Sequence, residues 1–128
     1  MKCEFTIYTR LPTFNDYTYA NRSHWSVGNG MKADAEASIM MEIPPKLKNL
    51  KLTNFKVFFV FFEPDYMRDE DGIKAVGHKM ILDALVKTKV IANDSRKHLL
   101  EIVDTKIHVD KKNPRVEISL EVVKEDGI

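Results

Sequence analysis

Three carboxylates stand side by side at Asp69, Glu70 and Asp71, and a fourth, Asp94, closes the stretch "RDEDGIKAVGHKMILDALVKTKVIANDS" from Arg68 to Ser95. Hard cations such as Mg²⁺ take a few carboxylate oxygens together with retained waters and a substrate phosphate. Asp69 and Asp71 flank Glu70 in a loop, so both can converge on one ion while Glu70 points away. Asp94, in the turn after the intervening helix, could close the ligand set from a neighbouring strand. A cation held there orients a water and stabilises the leaving oxygen of a phosphodiester. The same acids have a plainer use. Near a helix N-terminus each carboxylate meets the macrodipole for about 0.3–1 kcal/mol, and Asp69 or Asp71 can serve as the N-cap. On that reading the chain is a small interaction module with a solvated acidic loop.

Other chemistries fit poorly. Aligning Gly72 with the glycine of a calcium loop puts Met67 at the first ligand position and His78 at the bidentate glutamate, which excludes an EF-hand. Cys3 has no second cysteine, and His24, His78, His98 and His108 have no zinc spacing. Ser95 lacks a G-x-S-x-G elbow, and no glycine-rich phosphate loop is present. Lys79 and Asp83 are four apart on one helix and can pair. Lysine preceding the acid is the weaker order for an exposed pair, which hints at another task for Lys79.

The elements that must position these groups follow from periodicity. Residues 2–9 alternate as a strand. "LPTFNDYTYANRSHW" reads as an ordered loop, with Phe14, Tyr17, Tyr19 and Trp25 too many aromatics for an idle linker, and "GNG" at Gly28–Gly30 breaks the chain. A helix is expected from Met31 to about Ile43, stopped by Pro44-Pro45. "FKVFFVFF" from Phe55 to Phe62 is apolar on both faces apart from Lys56, which predicts a central strand buried on both sides and ended by Pro64. A helix from about Gly72 to Lys87 carries Ile73, Val76, Met80, Ile81 and Ala84 in one stripe, with Lys74, His78 and Lys79 outside it. "HLLEIVDTKIHV" reads as one strand. "RVEISLEVV" alternates Val116, Ile118, Leu120 and Val122 with Arg115, Glu117, Ser119 and Glu121, a strand with one wet face. The order β-α-β-α-β-β predicts a single α/β or α+β domain spanning residues 1–128, one mixed sheet packed against helices.

Bulk properties narrow the setting. A chain of 128 residues buries about two-thirds of its unfolded surface and needs no staple. One cysteine favours a reduced, intracellular compartment. "MKCEFTIYTR" lacks the apolar core of a signal peptide, and "VFFVFF" is too short to span a bilayer. The net charge of +1 offers no global basic footprint for nucleic acid. The charge is uneven, however: Glu63, Asp65, Asp69, Glu70 and Asp71 are concentrated around Arg68, while basic residues lie elsewhere.

Taken together, Arg68-Asp69, Asp71, Lys79, Asp83-Ala84-Leu85 and Asn93-Asp94 resemble, in order and spacing, the RusA family of Holliday junction resolvases, notably its phage and prophage versions. The opening "LPTFNDYTYANRSHW" is also similar to that family's N-terminal segment, in which a Pro precedes an Asn and then an aromatic. The resemblance covers most of the chain and is strongest from Arg68 to Ser95. It implies a RusA-like fold and a Mg²⁺-dependent endodeoxyribonuclease, with Mn²⁺ as an alternative ion. The enzyme would resolve four-way and other branched DNA by paired symmetric cuts in recombination and repair. It implies a homodimer, one site per subunit facing two opposed strands, in the cytoplasm of a bacterium or of a phage-infected host. Asp69, Asp71 and Asp94 match the family's essential carboxylates and are assigned to the metal. Lys79 matches its essential lysine, placed to orient the attacking water or offset charge on the phosphate. Arg10, Arg22, Lys32, Arg96 and Lys97 are the candidate phosphate contacts, and Tyr17, Tyr19, Trp25 or Tyr66 candidate wedges at the junction.

The chain departs from the pattern at one place: Gly72 stands where the family carries Asn. If that Asn holds the acidic loop, the alternative is a catalytically weakened or non-cutting relative that still binds branched DNA.

Overall fold

The computed structural model describes residues 1–13, 16 and 25–123, with no side-chain description for residues 25–29. Phe14, Tyr17, Tyr19, Arg22 and the side chain of Trp25 therefore lie outside the described residues. The elements are β1 (Lys2–Ile7), α1 (Trp25–Glu42), a 3-10 turn (Pro45–Leu47), β2 (Phe55–Glu63), α2 (Glu70–Lys87), β3 (Leu99–Asp104), β4 (His108–Val109) and β5 (Arg115–Val122). They form one domain, a mixed sheet with two helices, as the periodicity requires.

The strands run in the order β1-β5-β2-β3, with β4 also on β2. β5 is antiparallel to both β1 and β2, and β3 and β4 are parallel to β2. The register places Phe5, Ile118 and Phe59 in one row, with Cys3, Leu120 and Val57 beside it. Successive strand side chains face opposite ways, so this row and its neighbours make one apolar sheet surface. Ile39, Ile43, Ile73, Met80, Ile81, Ala84 and Leu85 of the helices join it in a single core. Full burial of such a side chain is worth roughly 1.5–3 kcal/mol.

Both helices cover the same face. β2 is accordingly central but buried on one side only: Phe55, Val57, Phe59 and Phe61 are enclosed, whereas Phe58, Val60 and Phe62 are half-buried. This corrects the expectation of a strand buried on both faces. Phe62 is shielded by the Arg115 guanidinium, 3.7 Å from its ring centroid, and by the His108 ring at 5.2 Å. Charge pairs flank this open face, Lys56 with Glu101 at 3.6 Å and Arg115 with Glu117 at 3.0 Å.

Two boundaries and the placement of one side chain also differ from expectation. α1 runs through Gly28–Gly30 instead of starting after them. Each glycine costs about 1 kcal/mol against alanine in a helix. That cost is offset downstream, where Ala35, Ile39 and Ile43 enter the core and buried Glu36 pairs with Lys87. The single strand read over residues 98–109 is two, interrupted after Asp104. His78, expected outside the buried stripe of α2, lies 4.5 Å ring to ring from Phe59, and its Nε2 is 2.8 Å from Asp104 Oδ1. It thereby fastens α2 to the edge strand.

Pro44 and Pro45 do end α1, and the chain then follows a tight path with positive φ at Asn49, Lys51 and Asn54. Leu52 bridges Ile91 there, tying the connector to the turn beyond α2. Within α2, Gly77 sits against Phe61: a Cβ at this position would lie 2.8 Å from the ring. Gly77→Ala is therefore expected to destabilise the fold. Overpacking costs about 1–3 kcal/mol and the gain in helix propensity returns about 1 kcal/mol. A lower midpoint in urea unfolding is the readout, and a raised midpoint would refute the close packing.

Candidate active site

β2 enters a short loop at Pro64, and α2 begins at Glu70 with Asp69 as its N-cap. The acids thus lie beyond the C-terminal end of the central strand, where open α/β sheets commonly place their sites. Asp69 has the extended backbone of a cap residue, yet its side chain makes no capping hydrogen bond. Asp71 is exposed in the first turn. Neither carboxylate has a hydrogen bond or ion pair with any described residue. Glu70 is engaged: its Oε1 accepts from the Ile107 N–H at 3.1 Å and lies 3.9 Å from Lys74 Nζ. Of the three neighbours Glu70 alone has a described side-chain partner, and Asp71, read as a loop residue, lies in the first turn of the helix.

The loop ahead of them is anchored at several points. Asp65 Oδ1 accepts from the Met67 N–H at 3.0 Å, closing a turn that leaves Tyr66 and Met67 in solvent. Arg68 turns inward. Its Nε and Nη2 donate to the two oxygens of Glu63 at 2.8 and 3.1 Å, and its Nη1 donates to the Leu11 carbonyl at 2.7 Å. A cleft beside Asp69 is lined by Thr13, Asp16, Met67, Arg68 and Gly72.

Lys79 and Asp94 form a second group. The Lys79 amine is 3.0 Å from Asp83 and 3.8 Å from Asp94. The hydrogen bond and charge of Asp83, aided by Asp94, hold the amine above the usual lysine range. Lys79 is thus a fixed cation rather than a base at neutral pH. Asp94 is presented by a turn in which the Ser95 N–H and hydroxyl both donate to Asn93 Oδ1, at 3.0 and 2.6 Å.

These two groups do not meet within one chain. Lys79 stands eight residues after Asp71, roughly 12 Å of helix rise, and its side chain continues toward Asp83. Among the described residues, no three His, Cys, Asp or Glu side chains are gathered closely enough to hold a metal ion. The topology explains the separation. α2 carries the chain from the C-terminal end of β2 back to the start of the parallel strand β3, so a residue before β3 lies toward the far end of the helix. Asp69 and Asp71 alone fit what Mg²⁺ asks of a protein, one or two carboxylates with the remaining positions left to water and phosphate. Among the described residues the three carboxylates Asp69, Asp71 and Asp94 are not gathered into one group.

The basic candidates divide likewise. Arg10 is exposed near the acidic end, Arg96 and Lys97 are exposed near Asp94, and Lys32 is half-buried on α1. Arg22 lies outside the described residues. Glu63 and Asp83 were absent from the sequence-derived site. In the sequence Asp83 stands out as a helix partner of Lys79 and as part of the Asp83-Ala84-Leu85 motif, and Glu63 only as one acid in a charged run. No family model matches the chain, and no curated protein matches it. No described helix is long and apolar enough to cross a membrane.

Proposed function

We propose that this chain is a divalent-metal-dependent, structure-selective DNA endonuclease of the RusA type, resolving Holliday junctions and other branched DNA in recombination and repair. The observation that carries the reading is the state of Asp69 and Asp71. Two carboxylates, one on either side of Glu70, stand beyond the end of the central strand with no described partner, one of them at an N-cap position without making the cap bond. Structural acids at a helix start are ordinarily engaged with its N–H groups. These are available to a cation and a phosphate. Lys79, held cationic, supplies a positive charge for the developing charge on phosphorus oxygens.

Homodimerisation belongs to the same proposal, since two opposed strands need two sites. It also gives the position of Asp94 a purpose. Carboxylates separated along one α2 can meet across a two-fold axis, Asp94 of one subunit approaching Asp69 and Asp71 of the other.

Two observations favour a second reading, a branched-DNA-binding relative that does not cut. Gly72 replaces the family's Asn, and three metal ligands are not assembled within the chain. The deciding experiment incubates the protein with an end-labelled four-way junction and with linear duplex, in Mg²⁺ and in Mn²⁺. Paired symmetric cuts on the junction alone are expected. Binding without cuts in either ion would establish the non-cutting relative. Absence of both binding and cutting would reject the nuclease reading altogether.

A further inference from the structure

We infer that Glu63 and Arg68 form an enclosed clamp that positions Asp69, so that Glu63, its carboxylate occupied by the guanidinium, is a positioning residue of the proposed site. The inference rests on the nuclease reading for its catalytic consequence and on geometry for the clamp itself.

An arginine beside two free aspartates in a nuclease-like motif invites assignment as a phosphate contact. Its surroundings argue otherwise. The guanidinium offers five N–H groups in a rigid fork. Two of them make a bidentate pair with Glu63 and a third serves the Leu11 carbonyl. Asp16 lies 3.7 Å from the same Nη1. The Arg68 and Glu63 side chains are only 13% and 12% exposed. A phosphate would have to displace a paired carboxylate from an enclosed site to reach this fork.

The connections show what the clamp does. Glu63 is the last residue of β2, a strand locked by β5 along its length. Arg68 is bonded covalently to Asp69, the first residue of the acidic group. Closing the pair therefore fixes both ends of the loop from Pro64 to Met67, and the bond to Leu11 ties it to the segment beyond β1. Bidentate arginine–carboxylate geometry restricts orientation as well as distance. The outcome is an Asp69 backbone set by the sheet. This also bears on Gly72, because the loop has an internal fastening that needs no side chain at that position.

The test uses the full chain with Arg68→Lys, Arg68→Gln and Glu63→Gln. In metal-free protein, hydrogen exchange of the Ile73 amide, whose N–H donates to the Asp69 carbonyl at 3.1 Å, is expected to accelerate at least tenfold in all three, with the exchange of β2 and β5 unchanged. Unchanged exchange at Ile73 would overturn the clamp whether or not the protein is a nuclease. In the junction assay, the Mg²⁺ concentration for half-maximal cutting is expected to rise at least tenfold in Glu63→Gln and Arg68→Lys, a change that global destabilisation alone does not produce. Junction affinity should also keep its salt dependence in Arg68→Gln. Loss of about 0.9 from the slope of log K against log salt would instead make Arg68 a phosphate contact and overturn the inference. Should Glu63→Gln fail to fold, Arg68→Lys retains the charge and gives both readouts. If the wild type neither binds nor cuts a junction, the nuclease reading falls and the exchange data still decide the clamp.

Discussion

Asp71→Asn is expected to remove junction cleavage, by a factor of at least 100, while leaving the fold and junction binding in place. The substitution keeps the size of the side chain and removes one charge from an exposed position with no described partner. Its structural cost is limited to a weaker interaction with the α2 dipole, about 0.3–1 kcal/mol. Its chemical cost is large, because a hard cation bound through only one or two carboxylates loses half or all of its protein charge. Thermal melting, junction binding without added metal, and single-turnover cleavage separate these effects. Loss of cutting with melting and binding retained identifies Asp71 as a member of the site. Undiminished cutting would return Asp69–Asp71 to the role of solvated helix-start acids.

The second large effect is a rescue. Asp71→Asn and Asp94→Asn are each expected to be inactive as homodimers, whereas co-expressed subunits carrying one substitution each should nick one strand of the junction. The reason lies in the arrangement of α2. Asp94 belongs with Lys79 and Asp83, and Lys79 stands about 12 Å of helix rise from Asp71 in its own chain. If each site draws Asp71 from one subunit and Asp94 from the other, a mixed dimer has one site with both defects and one with neither. Sites contained within single chains would leave both defective. Activity of purified mixed dimers carrying two affinity tags distinguishes the arrangements, and a mixed dimer as inactive as its parents would eliminate the shared site.

Much of the fold is legible because its strands follow simple patterns. In β5 the buried Val116, Ile118 and Leu120 are separated by polar residues, so the two-residue period shows both the strand and its inner face. The apolar run of β2 hides its asymmetry. Nothing local distinguishes a face covered by helices from one shielded by the Arg115 guanidinium and a histidine ring. Gly28 and Gly30 mislead for another reason: a helix is held by its packed residues, here well downstream, and tertiary contacts override weak local preferences.

The site was legible in part. Side-by-side placement identifies Asp69 and Asp71 as a unit, since residues so close in sequence cannot be far apart in space. Asp94 joins them only as a carboxylate in the turn after the helix and by resemblance, and most of an 18-residue helix lies in between. The clamp was least visible, because one of its contacts spans 57 positions, from Leu11 to Arg68. No short-range pattern encodes a bond of that kind.

The placement of β5 has a consequence for how the chain is made. This strand lies between β1 and β2, and Lys2 pairs with Glu121. During synthesis β1 leaves the ribosome before the other strands of the sheet and has no neighbour in it until β5 follows. Until then the inner faces of β1 and β2 present Phe5, Ile7, Phe59 and Phe61 without the strand that joins them. Pairing so distant in sequence slows folding and prolongs the exposure of aggregation-prone surface. The sheet therefore closes only after β5 is made, and a chain truncated before Arg115 lacks the strand on which β1 pairs.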